Sequence, residues 1–354
     1  MLRLRLIRGL FVTVTVAAVA SDVHADVWSR AVSAESDRSR EVYDAEMQSG
    51  DELVLQATAS RIASRSMIQQ LLQRAIASYR NAAKLRINEP EPYYRIARLE
   101  YSFYFECGQT ALAPWISSPL CPGPGAPFDN KHAQEVIDAW NEFEARAPLD
   151  PRLSPVYEDA SSADFSVLFH RAVLHTHFAT QDHLVAAIAD YEKILERSDA
   201  PNETTLANLA ETYMMLGQLE HAVETYRRAL RMSHSTETLY GLAVALDRSE
   251  RGSQAKELIV SQGRQQMEEF HRRVSILHLT FFVPRGEEYY YFALASEAFG
   301  DTANAIDYWQ KYLISNAHPE FQPRARSHLE VLLAKPKPAA PRVSPKRAAP
   351  VENP

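Results

Sequence analysis

Apolar residues recur at helical spacing on both sides of Gly217, which interrupts the pattern within residues 206–230. Spacings of three and four residues place apolar side chains on one face of an α-helix. The first stripe comprises Leu206, Leu209, Ala210 and Tyr213, and the second comprises Leu219, Ala222, Val223, Tyr226, Ala229 and Leu230. Two amphipathic helices joined by so short a turn are expected to pack antiparallel, with the alanines where the backbones approach.

The same pattern recurs over most of residues 50–316, which makes a chance match a poor explanation. Residues equivalent to Leu209, Ala210 and Ala222 lie 33 positions later, at Leu242, Ala243 and Ala255. Further matches are Ala187 and Tyr191 upstream, and Ala293, Gly300, Ala305 and Trp309 downstream. Nearer the start, the helical stripes contain Ala75, Tyr79, Ala82, Ala97, Trp140, Phe143 and Pro148.

These positions resemble the tetratricopeptide repeat (TPR), a helix-turn-helix unit of about 34 residues. In residues 206–234, Leu stands for the usual Trp at Leu206, Ala for the usual Gly at Ala210, and His234 for the usual Pro. The resemblance implies an all-α fold, a right-handed α-solenoid of about five to six antiparallel helix pairs over residues 50–334. Residues 26–49 are expected to form a helical lead-in.

Two insertions and one substitution depart from the repeat pattern. The insert at residues 106–130 replaces a short turn, and long loops in compact repeats are often functional. The stretch EEFHRRVSILHLTFFVP, residues 268–284, interrupts the register before Gly286. His175 stands where the pattern requires Gly or Ala, so the match to the repeat is weakest there.

The first 25 residues have the order of a secretory signal peptide. Three arginines precede an apolar run over residues 9–20, and small or weakly polar residues follow. We expect cleavage after Ala25, with Ala20 as the second choice. A membrane anchor is the other interpretation, but the apolar run is too short to span about 30 Å of hydrocarbon. The prediction is therefore an exported chain, periplasmic or fully secreted, without a stable membrane span.

Cys107 and Cys121 are the only cysteines, and both lie in the insert. In an oxidising compartment this pair is expected to form a disulfide, which closes a short loop. The alternative is two free thiols. Neither cysteine has a close Cys or His neighbour in the sequence, which disfavours a zinc site.

The charge distribution limits the classes of partner. The formal net charge of −7 argues against a general nucleic-acid-binding protein, since binding to phosphate requires a cationic surface. The tail at residues 335–354 is rich in Pro and Ala and has five basic residues against one Glu. Such a composition is typical of a disordered segment. It predicts either a solvated tail or a weak contact with an anionic envelope surface.

The candidate binding surface lies on the first helix of each pair, because these helices line the concave face in TPR proteins. Its residues are Tyr94, Arg98, Tyr101, Glu211, Met214, Tyr240, Asp247, Arg248, Tyr290 and Glu297. Tyrosine and arginine are favoured at binding hot spots, and the carboxylates favour a protein or peptide segment that carries Lys or Arg. A second interpretation is that the tyrosines pack between repeats.

No catalytic motif is present: the sequence lacks G-x-S-x-G, H-E-x-x-H, a P-loop and the Rossmann glycine pattern. The one candidate metal cluster is formed by His170, His175, His177 and His183, which would give a metal-dependent activity. A wall-lytic enzyme would need a separate catalytic domain, for which the repeats leave no room. The sequence thus predicts a non-enzymatic scaffold or adaptor without a cofactor. Envelope attachment through the tail is the alternative function.

Overall fold

The computed structural model describes residues 36–59, 64–105, 128–146, 167–197, 202–275 and 283–334. Regular structure in these segments consists of α-helices and one short 3₁₀ helix, and they contain no strand. The prediction of an all-α fold is therefore confirmed. The chain divides into two compact units, Met1–Arg171 and Ala172–Pro354.

The first unit consists of consecutive amphipathic helices. They are α1 over 36–59, α2 Arg65–Leu85, α3 Glu91–Tyr104 and α4 Asn130–Arg146. A fifth helix, α5 Val167–Phe178, contains the boundary between the units. Neighbouring helices pack in order, α2 on α3 and α3 on α4.

Large aromatic side chains fill the core of the first unit. Tyr79, Trp140 and Phe143 are each almost fully buried, as their helical spacing predicts. The ring of Tyr79 packs where Gly50 has no side chain, since a Cβ there would lie 2.3 Å from the ring. The Tyr79 hydroxyl donates a hydrogen bond to Asp51 at 2.7 Å, so the polar end of this buried ring is satisfied.

The second unit continues with nine helices among the residues described. They are α6 Gln181–Arg197, α7 Glu203–Met215, α8 Leu219–Met232, α9 Thr236–Arg248, α10 Gly252–Gln262, α11 Arg264–Ser275, α12 Glu288–Ala298, α13 Thr302–Ser315 and α14 Gln322–Ala334. The 3₁₀ helix Pro319–Phe321 precedes α14. The most extensive contacts join α7 with α8, α9 with α10, and α12 with α13.

Alanines twelve residues apart are buried in each of these three helix pairs. The pairs of alanines are Ala210 and Ala222, Ala243 and Ala255, and Ala293 and Ala305, and none of the six is more than 1% exposed. Small side chains let helix backbones approach closely. The sequence pattern therefore identified the residues at which the helices of each pair pack together.

A residue in the left-handed conformation ends the first helix of each pair. These residues are Gly217 at φ +72°, Glu250 at φ +62° and Gly300 at φ +75°. After α7, the amides of Gly217 and Gln218 donate to the carbonyls of Met214 and Tyr213, which satisfies the end of the helix. Glycine suits this position because it has no Cβ to oppose a positive φ, and Glu250 adopts the conformation without that advantage.

Helix α11 contains the first part of the stretch that interrupts the repeat register, residues 268–284. It follows α10 directly and buries Phe270 and Val274. The Phe270 ring stacks on Tyr240, with ring centroids 4.6 Å apart. This insertion therefore adds apolar contacts to the core of the second unit.

Several sequence predictions lie outside the described residues. They are the signal peptide 1–25, most of the insert 106–130 with Cys107 and Cys121, and the tail 335–354. In the segments that are described, no helix is both long and apolar enough to cross a membrane.

Candidate functional site

A cavity of about 350 Å³ lies between three helices of the second unit. We call it the C-terminal groove. It is lined by Leu294, Glu297 and Ala298 of α12, by Gly252, Ser253 and Lys256 of α10, and by Arg324, Ser327, His328 and Val331 of α14. The groove therefore combines apolar side chains with charged and hydroxyl groups.

Two cations of α14 converge on one carboxylate of α9. Arg324 and His328 lie one turn apart, so their side chains share a face of the helix. Arg324 donates to both oxygens of Asp247, from Nη2 at 2.6 Å and from Nε at 3.2 Å. His328 Nε2 lies 3.0 Å from Asp247 Oδ2. Asp247 has no exposed surface, so these contacts replace its hydration.

His328 is held in its charged form by carboxylates on both sides of the ring. Its Nδ1 lies 2.8 Å from Glu297 Oε2, opposite the contact with Asp247. Burial alone would lower the pKa of His328, but the hydrogen bonds to Asp247 and Glu297 outweigh it and raise this pKa to about 9. The ring stacks on Trp309, with centroids 4.8 Å apart. At neutral pH both ring nitrogens therefore act as donors.

The same hydrogen bonds keep Asp247 ionised. Burial would raise its pKa, but the contacts from His328 and Arg324, and a hydrogen bond of 2.7 Å from the hydroxyl of Tyr290, lower it well below the usual range. Asp247 thus links α9, α12 and α14 through one buried carboxylate.

Arg248, the next residue, points into the interior of the unit. Its Nη2 donates to Glu287 at 2.6 Å, and neither side chain is exposed. The guanidinium lies 4.5 Å from the ring centre of Tyr290 and 4.0 Å from that of Phe321. Burial alone would lower the pKa of Arg248, and the Glu287 carboxylate raises it instead. This pair is a buried ion pair of the core and not a surface for partners.

Glu211 is also satisfied within the chain. Its Oε2 accepts hydrogen bonds from the hydroxyls of Tyr226 at 2.5 Å and Tyr291 at 3.0 Å. Burial raises its pKa. The carboxylate therefore joins α7 to α8 and α12 and has no role at the C-terminal groove.

The structure corrects part of the predicted binding surface. In the second unit Met214, Tyr240, Asp247 and Tyr290 are fully buried, and Arg248 is 6% exposed. Tyr240 and Tyr290 pack between helices, as the second interpretation of the tyrosines has it. Glu297 alone among the predicted residues lines the C-terminal groove. Phe270 of α11 packs on Tyr240, and Arg324 and His328 of α14 contact Asp247, so these helices cover positions that the repeat pattern assigns to an open face.

None of the three predicted residues of the first unit is among the residues that line this groove. Tyr101 is 8% exposed and stacks on His170, with ring centroids 4.3 Å apart. Tyr94 is half-buried, with its ring 5.6 Å from Phe143. Arg98 is also half-buried. Tyr94, Arg98 and Tyr101 thus lie on α3, and two of them contact the aromatic core of the first unit.

The sequence analysis missed the charged residues of α10 and α14 that line the groove. Lys256 lies on a second helix of a pair, and Arg324 and His328 lie on α14, beyond the last recognised repeat. The one available signal was the spacing of the two cations by four residues on a helix. It does not indicate that their partner is Asp247, 77 to 81 residues away.

The histidine cluster does not come together as a set of four. His175 and His183 approach to 2.7 Å between their Nδ1 atoms, whereas His170 lies in the first unit, stacked on Tyr101. Burial lowers the pKa of His177 to about 4. Among the residues placed in the structure, no group of three or more His, Cys, Asp or Glu side chains is arranged to hold a metal ion.

No protein-family model and no curated protein matches this sequence. Similar solved structures include the MamA protein, 13% identical, with a TM-score of 0.40, covering 69% of this chain and 99% of that one. A second is YrrB, described as a TPR protein with an unusual peptide-binding site, 12% identical, with a TM-score of 0.35, covering 71% and 99%. A third is a tetratricopeptide repeat protein from Parabacteroides merdae, 12% identical, with a TM-score of 0.34, covering 83% and 99%.

The helix pairs themselves show the fold. Antiparallel pairs, buried alanines twelve residues apart and a left-handed turn after each first helix are all present in the second unit. The fold is TPR-like. This confirms the resemblance found in the sequence. The C-terminal groove is lined by the second helix of one pair, α10, the first helix of the next pair, α12, and the helix that follows that pair, α14.

Proposed function

We propose that this chain is an exported TPR-like scaffold that binds a protein or peptide segment in the C-terminal groove, without catalysis. The observation that carries the proposal is the groove itself, a cavity of about 350 Å³ that is lined by both apolar and polar side chains. Binding sites typically combine concave apolar surface with a few polar groups that fix orientation. The groove is built from helices, which hold its side chains in defined positions.

The expected preference for partners rich in Lys or Arg loses its support. It relied on Glu211, Asp247 and Glu297, and all three carboxylates already accept hydrogen bonds from other residues of the chain. A cationic segment would have to displace Tyr226, Arg324 or His328 to reach them. We therefore base the proposal on the groove and not on a negative surface.

The experiment is a capture assay with the full mature chain and envelope extract, comparing two tryptophan substitutions on α14. Ser327→Trp fills the groove, because Ser327 is exposed and lines it, whereas Glu330→Trp is a matched control at an exposed position outside the lining. We expect a partner that wild type and Glu330→Trp retain and that Ser327→Trp loses. Equal capture by all three proteins would contradict binding in the groove.

Export to the periplasm is part of the proposal and is supported by the order of residues in the first 25 positions. Amino-terminal sequencing of the protein from a periplasmic fraction is expected to begin at Asp26. Mass analysis without reductant is expected to show no free thiol at Cys107 and Cys121. An unprocessed chain in the cytoplasm would contradict export.

A contact between the basic tail and the envelope is the second candidate function. Its support is the composition of residues 335–354, where five basic residues accompany one Glu. Attraction to anionic surfaces by such segments falls with salt. A chain that ends at Ala334 is expected to lose any salt-sensitive sedimentation with envelope fragments.

A further inference from the structure

The ionised groups along the C-terminal groove are mostly balanced within the chain. The carboxylates of Asp247 and Glu297 contact the cations of Arg324 and His328 at hydrogen-bond distance. Two carboxylates and two cations make up this network, so their formal charges cancel in the groove. The remaining ionisable side chain in the lining decides which sign of charge a ligand meets.

That remaining side chain is Lys256. It lies on α10, one turn after Gly252, and it is exposed to solvent. Lys256 makes no ion pair with any residue of the described segments, in contrast to Arg324 and His328. An ammonium group without a partner in the lining of a groove favours an anionic ligand.

The start of α10 adds to the same preference. No side chain caps this helix, and Gly252 and Ser253 of its first turn line the groove beside Lys256. The free amides at a helix start carry partial positive charge. A Cβ at Gly252 would lie 2.8 Å from Arg324 Nη2, so the missing side chain leaves this guanidinium next to the helix start.

The groove also has an apolar part. Val331 in its lining is 52% exposed, and the mostly buried side chains of Leu294 and Ala298 also line the cavity. Binding sites typically combine apolar surface with a few polar groups. A ligand that fits both parts carries an apolar group and an anionic group close together.

We infer that the C-terminal groove binds a protein segment in which an Asp or Glu side chain lies near an apolar side chain. The carboxylate is bound by Lys256 and the start of α10, and the apolar side chain packs on Val331 beside Leu294 and Ala298. A side-chain carboxylate and a chain terminus carry the same charge, and the peptide pools of the test distinguish these two sources. This inference rests on the proposed function.

The carboxylate of Glu250 opposes this preference. It lies on the turn between α9 and α10 and acts on Arg324 from outside the groove, since it does not line the cavity. Removing its charge is expected to leave the binding of an acidic segment unchanged or to strengthen it. Glu250 therefore provides a matched control for Lys256, with the opposite charge and a similar exposure.

The test uses pools of short synthetic peptides, all with blocked termini. Each pool has a fixed leucine and, two positions away, either Asp and Glu, Asn and Gln, or Lys and Arg. Retention on the immobilised full mature chain is measured by mass spectrometry for wild type, Lys256→Gln, Lys256→Arg and Glu250→Gln. A parallel set of pools with free carboxyl ends distinguishes a chain terminus from a side chain as the source of the carboxylate.

We expect wild type to retain the acidic pool above the amide pool, and Lys256→Gln to reduce this preference by about threefold to fivefold. Lys256→Arg and Glu250→Gln are expected to keep the preference. Enrichment of the basic pool, or an acidic preference that Lys256→Gln leaves intact, would overturn the inference while leaving peptide binding in place. Enrichment that requires a free carboxyl end would also overturn it. Retention of no pool at all would contradict the proposed function as well.

Discussion

The buried carboxylate of Asp247 accepts hydrogen bonds from residues that are distant in the sequence. It is completely buried, yet Arg324, His328 and the hydroxyl of Tyr290 all donate hydrogen bonds to it. Breaking a buried charged contact by removing one partner typically costs about 3–5 kcal/mol, because the other charge stays buried without compensation. The stability of the second unit is therefore sensitive to each of these donors.

His328 makes this sensitivity dependent on pH. Its pKa is about 9 in the folded chain against 6.5 for an unperturbed histidine, so its contribution is fully present below pH 6.5 and is lost as the pH rises through 9. We expect the free energy of unfolding of wild type to decrease by up to about 3 kcal/mol across this window. For His328→Gln we expect no such decrease.

Urea unfolding of both proteins at a series of pH values measures this difference directly. Taking the difference between wild type and variant removes the contribution of other titrating groups, as long as they behave alike in both. If wild type and variant changed in parallel across the window, Asp247 and Glu297 would not be raising the pKa of His328.

Gly252 is needed for space and not for its own backbone conformation. A Cβ there would lie 2.8 Å from Arg324 Nη2 and 3.0 Å from Asp247 Oδ1, both held by the ion pair between them. Alanine is normally preferred over glycine in a helix by up to about 1 kcal/mol. We nevertheless expect Gly252→Ala to destabilise the chain by about 1 kcal/mol, because the ion pair must shift.

Ser253→Ala is the matched control for this substitution. Ser253 is the next residue of the same helical turn and is exposed, so its replacement is expected to change the free energy of unfolding by less than about 0.5 kcal/mol. Chemical denaturation of both variants measures these changes in the free energy of unfolding. Stabilisation by Gly252→Ala would show that Arg324 moves without loss.

At the scale of helices, a glycine that faces a tyrosine ring lets two neighbouring helices pack closely. A Cβ at Gly241 of α9 would lie 2.5 Å from the ring of Tyr226 on α8, and Gly50 of α1 faces Tyr79 of α2 in the same way within the first unit. In both cases the ring fills the space that a missing side chain leaves. This arrangement lets a large side chain pack where two helices cross closely.

We expect Gly241→Ala to lower the free energy of unfolding by about 2 kcal/mol, because the added methyl overlaps the Tyr226 ring. A smaller residue at position 226 removes the overlap. In a Tyr226→Leu background, Gly241→Ala is therefore expected to cost much less, and the double-mutant cycle measures this coupling. Equal costs in both backgrounds would mean that the ring is not the obstacle.

The helices could be predicted from the sequence, but the contacts between them could be predicted only in part. The periodic alanines of α7, α8, α9, α10, α12 and α13 identified the helix pairs, because small residues recur wherever two backbones approach. Helix α11 was visible only as an interruption of the register. Its burial of Phe270 against Tyr240 depends on contacts between helices that no local pattern encodes.

At the scale of the whole molecule, the chain forms two compact units, and the second contains the C-terminal groove. Helix α14 completes this unit in two ways. It buries Ala325 and Leu332 against its core, and it supplies both cations that contact Asp247. The last helix is thus part of the fold of the second unit and also lines its groove.

Truncation separates these contributions from those of the tail. A chain ending at Ala334 is expected to unfold at the same temperature as the full mature chain, since the composition of residues 335–354 is typical of a segment that does not fold. A chain ending at Asn316 is expected to lose at least about 3 kcal/mol of stability, because Asp247 stays buried without its cations. Thermal unfolding followed by circular dichroism measures both. An unchanged midpoint for the shorter chain would contradict the role of α14.

The sequence by itself determined the helical fold, the pairing of helices and the buried alanines. These features follow from spacings within one or two adjacent helices, and such spacings are local. It did not determine which polar residues remain open to a partner. Tyr240, Tyr290 and Asp247 share a helical face with binding positions of the repeat, but that face is exposed only if nothing packs on it.

The tertiary structure decided the character of the groove. Arg324 and His328 reach Asp247 across 77 and 81 residues of chain, and these contacts neutralise carboxylates that the sequence alone presents as a negative surface. Lys256 is then left as the cation without a partner among the described residues of the groove. The electrostatic preference of a site depends on which charges have found partners, and only the packing of α9, α12 and α14 establishes that.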